Sequence, residues 1–248
     1  MGLIDNRDAQ FMLLAGFIIA LGIVITTVLL NNIIFQANMA GEAGSDPSKY
    51  EIVNLMAITS DDTKSAYRSA ITQAGGNNAQ IAYFNNQTLD FSANLTKIYA
   101  LHGEAVNMTW DVSNWNNNIY PNFTKNGMAG GIANWTIIQN VNSSNITVNV
   151  TGGSFNINIT NGTTSYTYNL VCSNCVYNIN GTNISSHIKN NYSIIFINGA
   201  NAYGNYSING TASGRNFLFD RDYILNVTIK FSTSRVRAII TIPVSVPW

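Results

Sequence analysis

The residues best suited to chemistry begin with the two cysteines. Cys172 and Cys175 are separated by two residues and are the only thiols of the chain. Outside the cell this spacing favours a small disulfide loop at the end of a strand, with two free thiols as the second interpretation. A zinc site ranks third, because it would have to recruit His102 and His187 and the spacing matches no zinc motif.

Asparagine followed two positions later by serine or threonine is the acceptor sequence for N-linked glycans. The pattern occurs sixteen times beyond residue 85, where independent placement of the same residue types would give about six. The excess predicts that several sites are glycosylated and that N-linked glycans accompany the chain. The acceptor asparagines are Asn86, Asn94, Asn107, Asn122, Asn134, Asn142, Asn145, Asn149, Asn158, Asn161, Asn180, Asn183, Asn191, Asn205, Asn209 and Asn226.

Strand alternation is a simpler origin for some of these acceptor sequences. A half-exposed strand places polar residues two apart, and in a chain rich in Asn and Thr this alone produces the pattern. The explanation suffices for Asn145, Asn149, Asn158 and Asn226. It does not suffice for the acceptors in less regular segments, such as Asn86, so glycosylation remains the favoured interpretation.

The remaining titratable residues do not form a catalytic set. The carboxylates of the second half are few, and Asp220, Arg221 and Asp222 are consecutive. We interpret these three as a solvated turn, with a cation site on one strand face as the alternative. The sequence contains no Gly-rich phosphate loop and no nucleophile elbow. We therefore expect no catalytic, cofactor-binding or metal-binding residues and no enzymatic activity.

Composition limits the partners further. The 248 residues include 12 basic and 12 acidic side chains, so the formal net charge is zero and only 10% of residues are charged. A neutral chain lacks the basic surface that phosphate recognition requires, so no nucleic-acid partner is expected. Hydrophobic residues make up 46%, which argues against disorder. The 38 asparagines supply polarity in place of charge, and such a surface suggests covering by sugar or by neighbouring subunits.

The element that would position this polar part is an apolar N-terminal segment. Residues 11–30 contain no charge, and twenty helical residues at about 1.5 Å each span a hydrocarbon core of about 30 Å. The segment predicts a transmembrane or filament-core helix, and residues 1–44 form the first domain with a polar lead. Arg7 precedes the span and the next base is Lys49, which places the larger C-terminal part outside the cell.

The sequence of residues 7–35, RDAQFMLLAGFIIALGIVITTVLLNNIIF, has a short polar lead and a Gln just before the apolar run. It resembles the N terminus of archaeal type IV pilin-like proteins, over about the first 75 residues. The resemblance implies that a prepilin peptidase cuts between Ala9 and Gln10 and that the apolar helix leaves the membrane to bundle with copies of itself. The residues expected in that core, including two glycines for close approach, are Phe11, Leu14, Gly16, Phe17, Ile18, Leu21, Gly22 and Val24.

Two further domains follow in the sequence. Residues 45–76 predict a second helix, from about Pro47 to Ala74, which serves as spine or connector and ends at Gly75-Gly76. From Ala79 onward the hydrophobic period changes from 3.6 to 2, so residues 77–248 predict an extracellular β domain rich in Asn and Thr. Alternation is clearest over 144–151, 155–159, 166–170 and 225–231, and Asn-Gly and Gly-Gly pairs predict the turns.

The predicted fold class is therefore α+β, with a long N-terminal apolar helix, a second short helix and an antiparallel β-sheet or sandwich. The expected function is a structural subunit of an archaeal type IV pilus-like surface filament, a helical homo-oligomer that passes through the membrane before assembly. The first alternative is an uncleaved, membrane-anchored adhesion protein. The second is an anchored carbohydrate-binding module or enzyme, with Tyr166, Tyr168 and Tyr177 as a sugar platform.

Overall fold

The computed structural model describes residues 47–189 and 191–248. The chain divides into two compact units, Met1–Val53 and Asn54–Trp248. The predicted N-terminal helix, its eight assembly residues between Phe11 and Val24, and the processing pair Ala9 and Gln10 lie outside the described residues.

The predicted α+β class is wrong. The structure is mostly β, with 44% of its residues in strands and few helices, and the long apolar N-terminal helix is not shown. Across residues 47–189 and 191–248, each helix is either too short or too polar to cross a membrane. The prediction was wrong because it rested on a long N-terminal helix, whereas one strand of the described chain alone runs for 26 residues.

In the described part of the chain, two long α-helices precede the strands, and two short α-helices lie between strands. They are α1 (Pro47–Ile71), α2 (Gly76–Ala100), α3 (Ser113–Asn116) and α4 (Gly181–Ser185). Helix α2 contradicts the predicted change to strand at Ala79. Its buried face contains Thr88 and Ser92, which weaken the apolar pattern. The Thr88 hydroxyl donates to the carbonyl of Phe84 at 3.1 Å, so the helix can bury this polar side chain.

The strands form two antiparallel sheets. One has three strands in the order β1-β8-β9, and the other has six, with the path β3-β2-β6-β7 and with β4 and β5 also paired to β2. The strands are β1 (Ala105–Asp111), β2 (Trp135–Thr160), β3 (Ser165–Val171), β4 (Cys175–Ile179), β5 (Tyr192–Ile197), β6 (Ala202–Ala212), β7 (Arg215–Arg221), β8 (Ile224–Ser232) and β9 (Arg237–Ser245). The four stretches of clearest alternation coincide with parts of β2, β3 and β8.

The long helices cover one face of the three-stranded sheet. The indole Nε1 of Trp110 donates to the Thr63 hydroxyl at 3.0 Å, and the Thr96 hydroxyl donates to the carbonyl of Val106 at 2.7 Å. Val106 and Met108 are buried under the helices, whereas the alternate residues of β1 are exposed. The sheet thus has an inner face under α1 and α2 and an outer face that carries polar residues.

Strand β2 organises the six-stranded sheet because both of its ends pair with β5. Ile194 of β5 lies opposite Ile138 near the start of β2 and opposite Ile159 near its end. The pairing of β2 with β6 has a bulge between Val150 and Gly152. Next to this bulge, Gly153 has φ +86°, and a Cβ there would lie 2.0 Å from the backbone oxygen of Asn201. Only glycine fits this position. The predicted Gly152-Gly153 turn is therefore a bulge inside one strand.

Candidate functional site

Acceptor sequences meet on the outer face of the three-stranded sheet. Asn107 and Thr109 lie on β1, and Asn226 and Thr228 lie on β8. Thr109 is directly opposite Thr228, so the two acceptor sequences run antiparallel. We call these four residues the acceptor face. The register places the two asparagines four residues apart along neighbouring strands, about 14 Å. The face can hold two sugar chains side by side.

The sixteen acceptor asparagines differ in whether their side-chain amide nitrogen donates a hydrogen bond to the protein. A glycan attaches to Nδ2, so an amide that is exposed and donates to no protein group is the suitable acceptor. Nine are exposed and their Nδ2 donates no hydrogen bond to the described residues: Asn86, Asn94, Asn107, Asn134, Asn145, Asn180, Asn183, Asn191 and Asn209. Asn149, Asn158 and Asn226 are half-buried, and their amides donate no such bond either.

The other four acceptor asparagines donate from Nδ2 to protein oxygens. Asn122 donates to two backbone carbonyls at 3.0 and 3.2 Å, and Asn161 donates to the carbonyl of Lys189 at 3.1 Å. The exposed Asn142 donates to the Asn191 side chain at 2.7 Å. Asn205 is buried, with 3% exposure. The folded protein therefore offers Asn205 least readily of all sixteen.

The two cysteines are bonded to each other between β3 and β4. Their Cα atoms are 5.7 Å apart. Next to them, the Tyr177 hydroxyl donates to the carbonyl of Val171 at 3.1 Å, which joins the two strands beside the disulfide loop. The disulfide therefore links the end of β3 to the start of β4, and neither cysteine has a free thiol that could titrate.

The tyrosines considered as a sugar platform pack against the core instead of standing free. Tyr166, Tyr168 and Tyr177 are half-buried and contact the core of the six-stranded sheet. The rings of Tyr166 and Tyr168 meet edge to face at 4.8 Å, and His187 covers Tyr166 at 3.8 Å. Among the described residues, His102 and His187 belong to no group of three side chains able to hold a metal ion.

The Asp220-Arg221-Asp222 sequence is not the solvated turn that we predicted. Arg221 is only 6% exposed and lies 5.5 Å from the centre of the Tyr206 ring. Its guanidinium donates to the backbone carbonyls of Thr124 and Lys125, at 2.8 Å each. A buried guanidinium is stable only when its donors find acceptors, and here they bind the loop between the two sheets.

Asp222 completes a buried polar junction with Tyr67 of α1 and Asn205 of β6. The Tyr67 hydroxyl donates to one carboxylate oxygen of Asp222, and Asn205 Nδ2 donates to the other at 2.8 Å. Burial raises the pKa of Asp222, while the two hydrogen bonds act in the opposite direction. The junction connects a helix, the long β6 strand and the start of β8 around one carboxylate.

One signal in the sequence could have indicated that the neighbouring Arg221 is buried. Strand β7 reads RNFLFDR, and Arg221 has the same alternation parity as Phe217 and Phe219. Parity therefore places Arg221 on the same face of the strand as two aromatic residues. No signal pointed to Tyr67, which lies 155 positions from its partner.

No protein-family model, curated protein or solved structure matches the chain. The described residues have two features of chemical interest. Exposed asparagine amides can carry sugars covalently, and the buried Asp222 carboxylate connects helix α1 to the strands.

Proposed function

We propose that this protein is a structural subunit of an archaeal type IV pilus-like surface filament. Copies associate through the apolar N-terminal segment, and the β domain forms a glycosylated exterior at the cell surface. The resemblance of residues 7–35 to pilin-like N termini supports the first part. The availability of the acceptor amides supports the second part.

One observation carries the proposal: nine acceptor asparagines are exposed, and their amides donate no hydrogen bond to the described residues. Strand alternation accounts for Asn226 and its counterparts on the solvent side of strands. It does not account for Asn86 and Asn94, which are exposed on helix α2, nor for Asn183, which is exposed on α4. Acceptor sequences on helices and strands alike favour selection for glycosylation over a by-product of pattern.

Burial of the N-terminal segment among neighbouring copies provides the driving force for assembly. Moving apolar side chains out of water and into contact with neighbouring apolar chains lowers the free energy. A head-to-tail contact that does not close produces an open helical filament. We expect Ile18→Arg to abolish filaments, because a charge in that environment has no partner. Ile18→Val keeps the apolar character and should assemble normally.

The test is electron microscopy of material shed from cells, combined with sequencing of its N terminus. The proposal expects filaments whose subunits begin at Gln10. Subunits that begin at Met1 and sediment with membranes would instead establish the anchored surface protein. Filaments of normal dimensions formed by the Ile18→Arg variant would show that the apolar segment is not the assembly element.

A further inference from the structure

An open cleft of about 440 Å³ lies at one end of the outer face of the three-stranded sheet. The segment from Ile119 to Met128 forms one wall, and β8 and β9 form the floor with Asn226 and Pro243. The volume falls within the range of about 300 to 1,000 Å³ that small-molecule sites occupy.

None of the described residues that line the cleft is charged. Its apolar part includes Ile119 and Met128, which are 54% and 56% exposed although both are large hydrophobic side chains. Tyr120 adds an aromatic ring, held by stacking on Tyr223 with centroids 5.0 Å apart. Amides and the hydroxyls of Thr241 and Tyr120 supply the polar groups. Apolar walls with a few fixed amides and no charge suit a neutral sugar, which has hydroxyl groups and an apolar C–H face.

A sugar attached to Asn226 would enter the cleft because of the position of this residue. It is an acceptor asparagine that itself lines the cleft, and its side chain makes no hydrogen bond with the described residues. The other acceptor in the lining, Asn122, uses its Nδ2 to hold two backbone carbonyls. A glycan on Asn226 would therefore start inside the cleft, within contact range of exposed Ile119 and Met128.

We infer that the cleft is the seat of an N-linked glycan attached to Asn226. Its first sugar residues lie between the Ile119 to Met128 segment and the outer face of β9, and they cover apolar surface that the polypeptide leaves open. The inference rests on the proposed function, because it requires a glycosylated chain. It adds that the glycan at Asn226 is part of the folded surface of the protein.

The rate at which Met128 is oxidised measures directly how well the Asn226 glycan shields the cleft. Methionine is converted to its sulfoxide at a rate that follows exposure. We compare the chain isolated from its native cells with the same chain made in a bacterium that lacks N-glycosylation, using dilute hydrogen peroxide and peptide mass spectrometry. We expect Met128 to oxidise about fivefold more slowly in the glycosylated protein.

Matched variants made in the native cells identify the glycan responsible. Thr228→Val removes the acceptor sequence at Asn226 and should restore fast oxidation of Met128. Asn226→Gln gives the same result by a second route, should the loss of the Thr228 hydroxyl disturb the strand. Thr109→Val removes the acceptor sequence of Asn107 on the same face and should leave the Met128 rate unchanged within about twofold.

The outcomes separate this inference from the proposed function. Bare Asn226 in a protein that carries glycans elsewhere would overturn the inference and leave the function standing. So would equal Met128 rates in the native protein and the Thr228→Val variant when Asn226 does carry sugar. A native chain without glycan at any acceptor would overturn the inference together with the glycosylated exterior.

Discussion

Replacing Tyr67 by Phe removes a single oxygen atom and so tests the hydrogen bond from Tyr67 to Asp222 in the buried junction. The change removes the hydroxyl that donates to Asp222 and keeps the ring, which is 1% exposed and packs edge to face on Trp115 at 4.7 Å. Among the described side chains, Asn205 would then be the one donor that Asp222 retains. Because Asp222 is largely removed from solvent, few water molecules can replace the lost donor.

The size of the effect follows from the charge of the acceptor. A hydrogen bond to a charged group contributes about 1.5–3 kcal/mol, whereas one between neutral groups contributes about 0.5–1.5 kcal/mol. We expect Tyr67→Phe to lower the free energy of unfolding by about 2 kcal/mol at pH 7. For a unit of this size, that corresponds to a loss of about 4–8 °C in Tm.

Tyr223→Phe is the matched control, since it removes a hydroxyl from the same aromatic cluster. The Tyr223 hydroxyl donates to the neutral side chain of Asn118 at 3.3 Å, and its ring lies 6.5 Å from that of Tyr67. We expect a loss of about 1 kcal/mol, or about 2–4 °C. Thermal unfolding of the full chain in mild detergent, followed by circular dichroism, measures both variants.

The pH dependence separates the two variants further. The folded pKa of Asp222 lies above its unfolded value, so the native carboxyl takes up a proton first as the pH falls. Once Asp222 is protonated, the hydrogen bond that Tyr67→Phe removes is one to a neutral carboxyl group, which contributes less than one to a carboxylate. The Tyr67→Phe penalty should therefore shrink at pH 3.5, and the Tyr223→Phe penalty should stay constant. Equal penalties at both pH values in both variants would refute the role given to the Asp222 charge.

Further predictions concern Asp62 of α1 and the β2 bulge. Burial raises the pKa of Asp62 from 3.8 to about 6, so the ionised carboxylate lowers the stability of the folded state as the pH rises from about 4 to 6. After discounting for solvent screening, we expect Asp62→Asn to raise the free energy of unfolding by about 1 kcal/mol at pH 7. At pH 3.5 the variant should have no effect, and denaturant titrations at both pH values measure this. We expect Gly153→Ala to cost at least about 2 kcal/mol, because its Cβ would meet the Asn201 oxygen. Gly162→Ala, at φ +90° with open space around it, should cost about 1 kcal/mol; equal losses would exclude the steric contact as the cause.

Local alternation in the sequence was sufficient to locate several strands, but not their continuity. The Asn161-Gly162 pair is a turn between β2 and β3, as expected. The Asn209-Gly210 pair lies inside β6, and Gly152-Gly153 lies inside β2. Turn propensity is local, whereas pairing with neighbouring strands decides whether a Gly-containing pair remains extended.

The helix α2 and the buried junction show the same limit. Helix α2 buries Thr88 and Ser92 among its core-facing residues, so its apolar period is incomplete in the sequence. The junction joins residues 155 positions apart, a distance at which no short-range pattern applies. For the acceptor asparagines, the sequence supplied the sixteen positions, and burial and hydrogen bonding separated the free amides from those already engaged.

Site-resolved glycopeptide mapping of shed filaments tests the central proposal most directly. The account predicts that the subunit in those filaments begins at Gln10, carries sugar at exposed acceptors such as Asn107, and leaves the buried Asn205 bare. The contrary result is a subunit whose intact mass equals that of the bare chain, or one in which Asn205 is modified while the exposed acceptors are not.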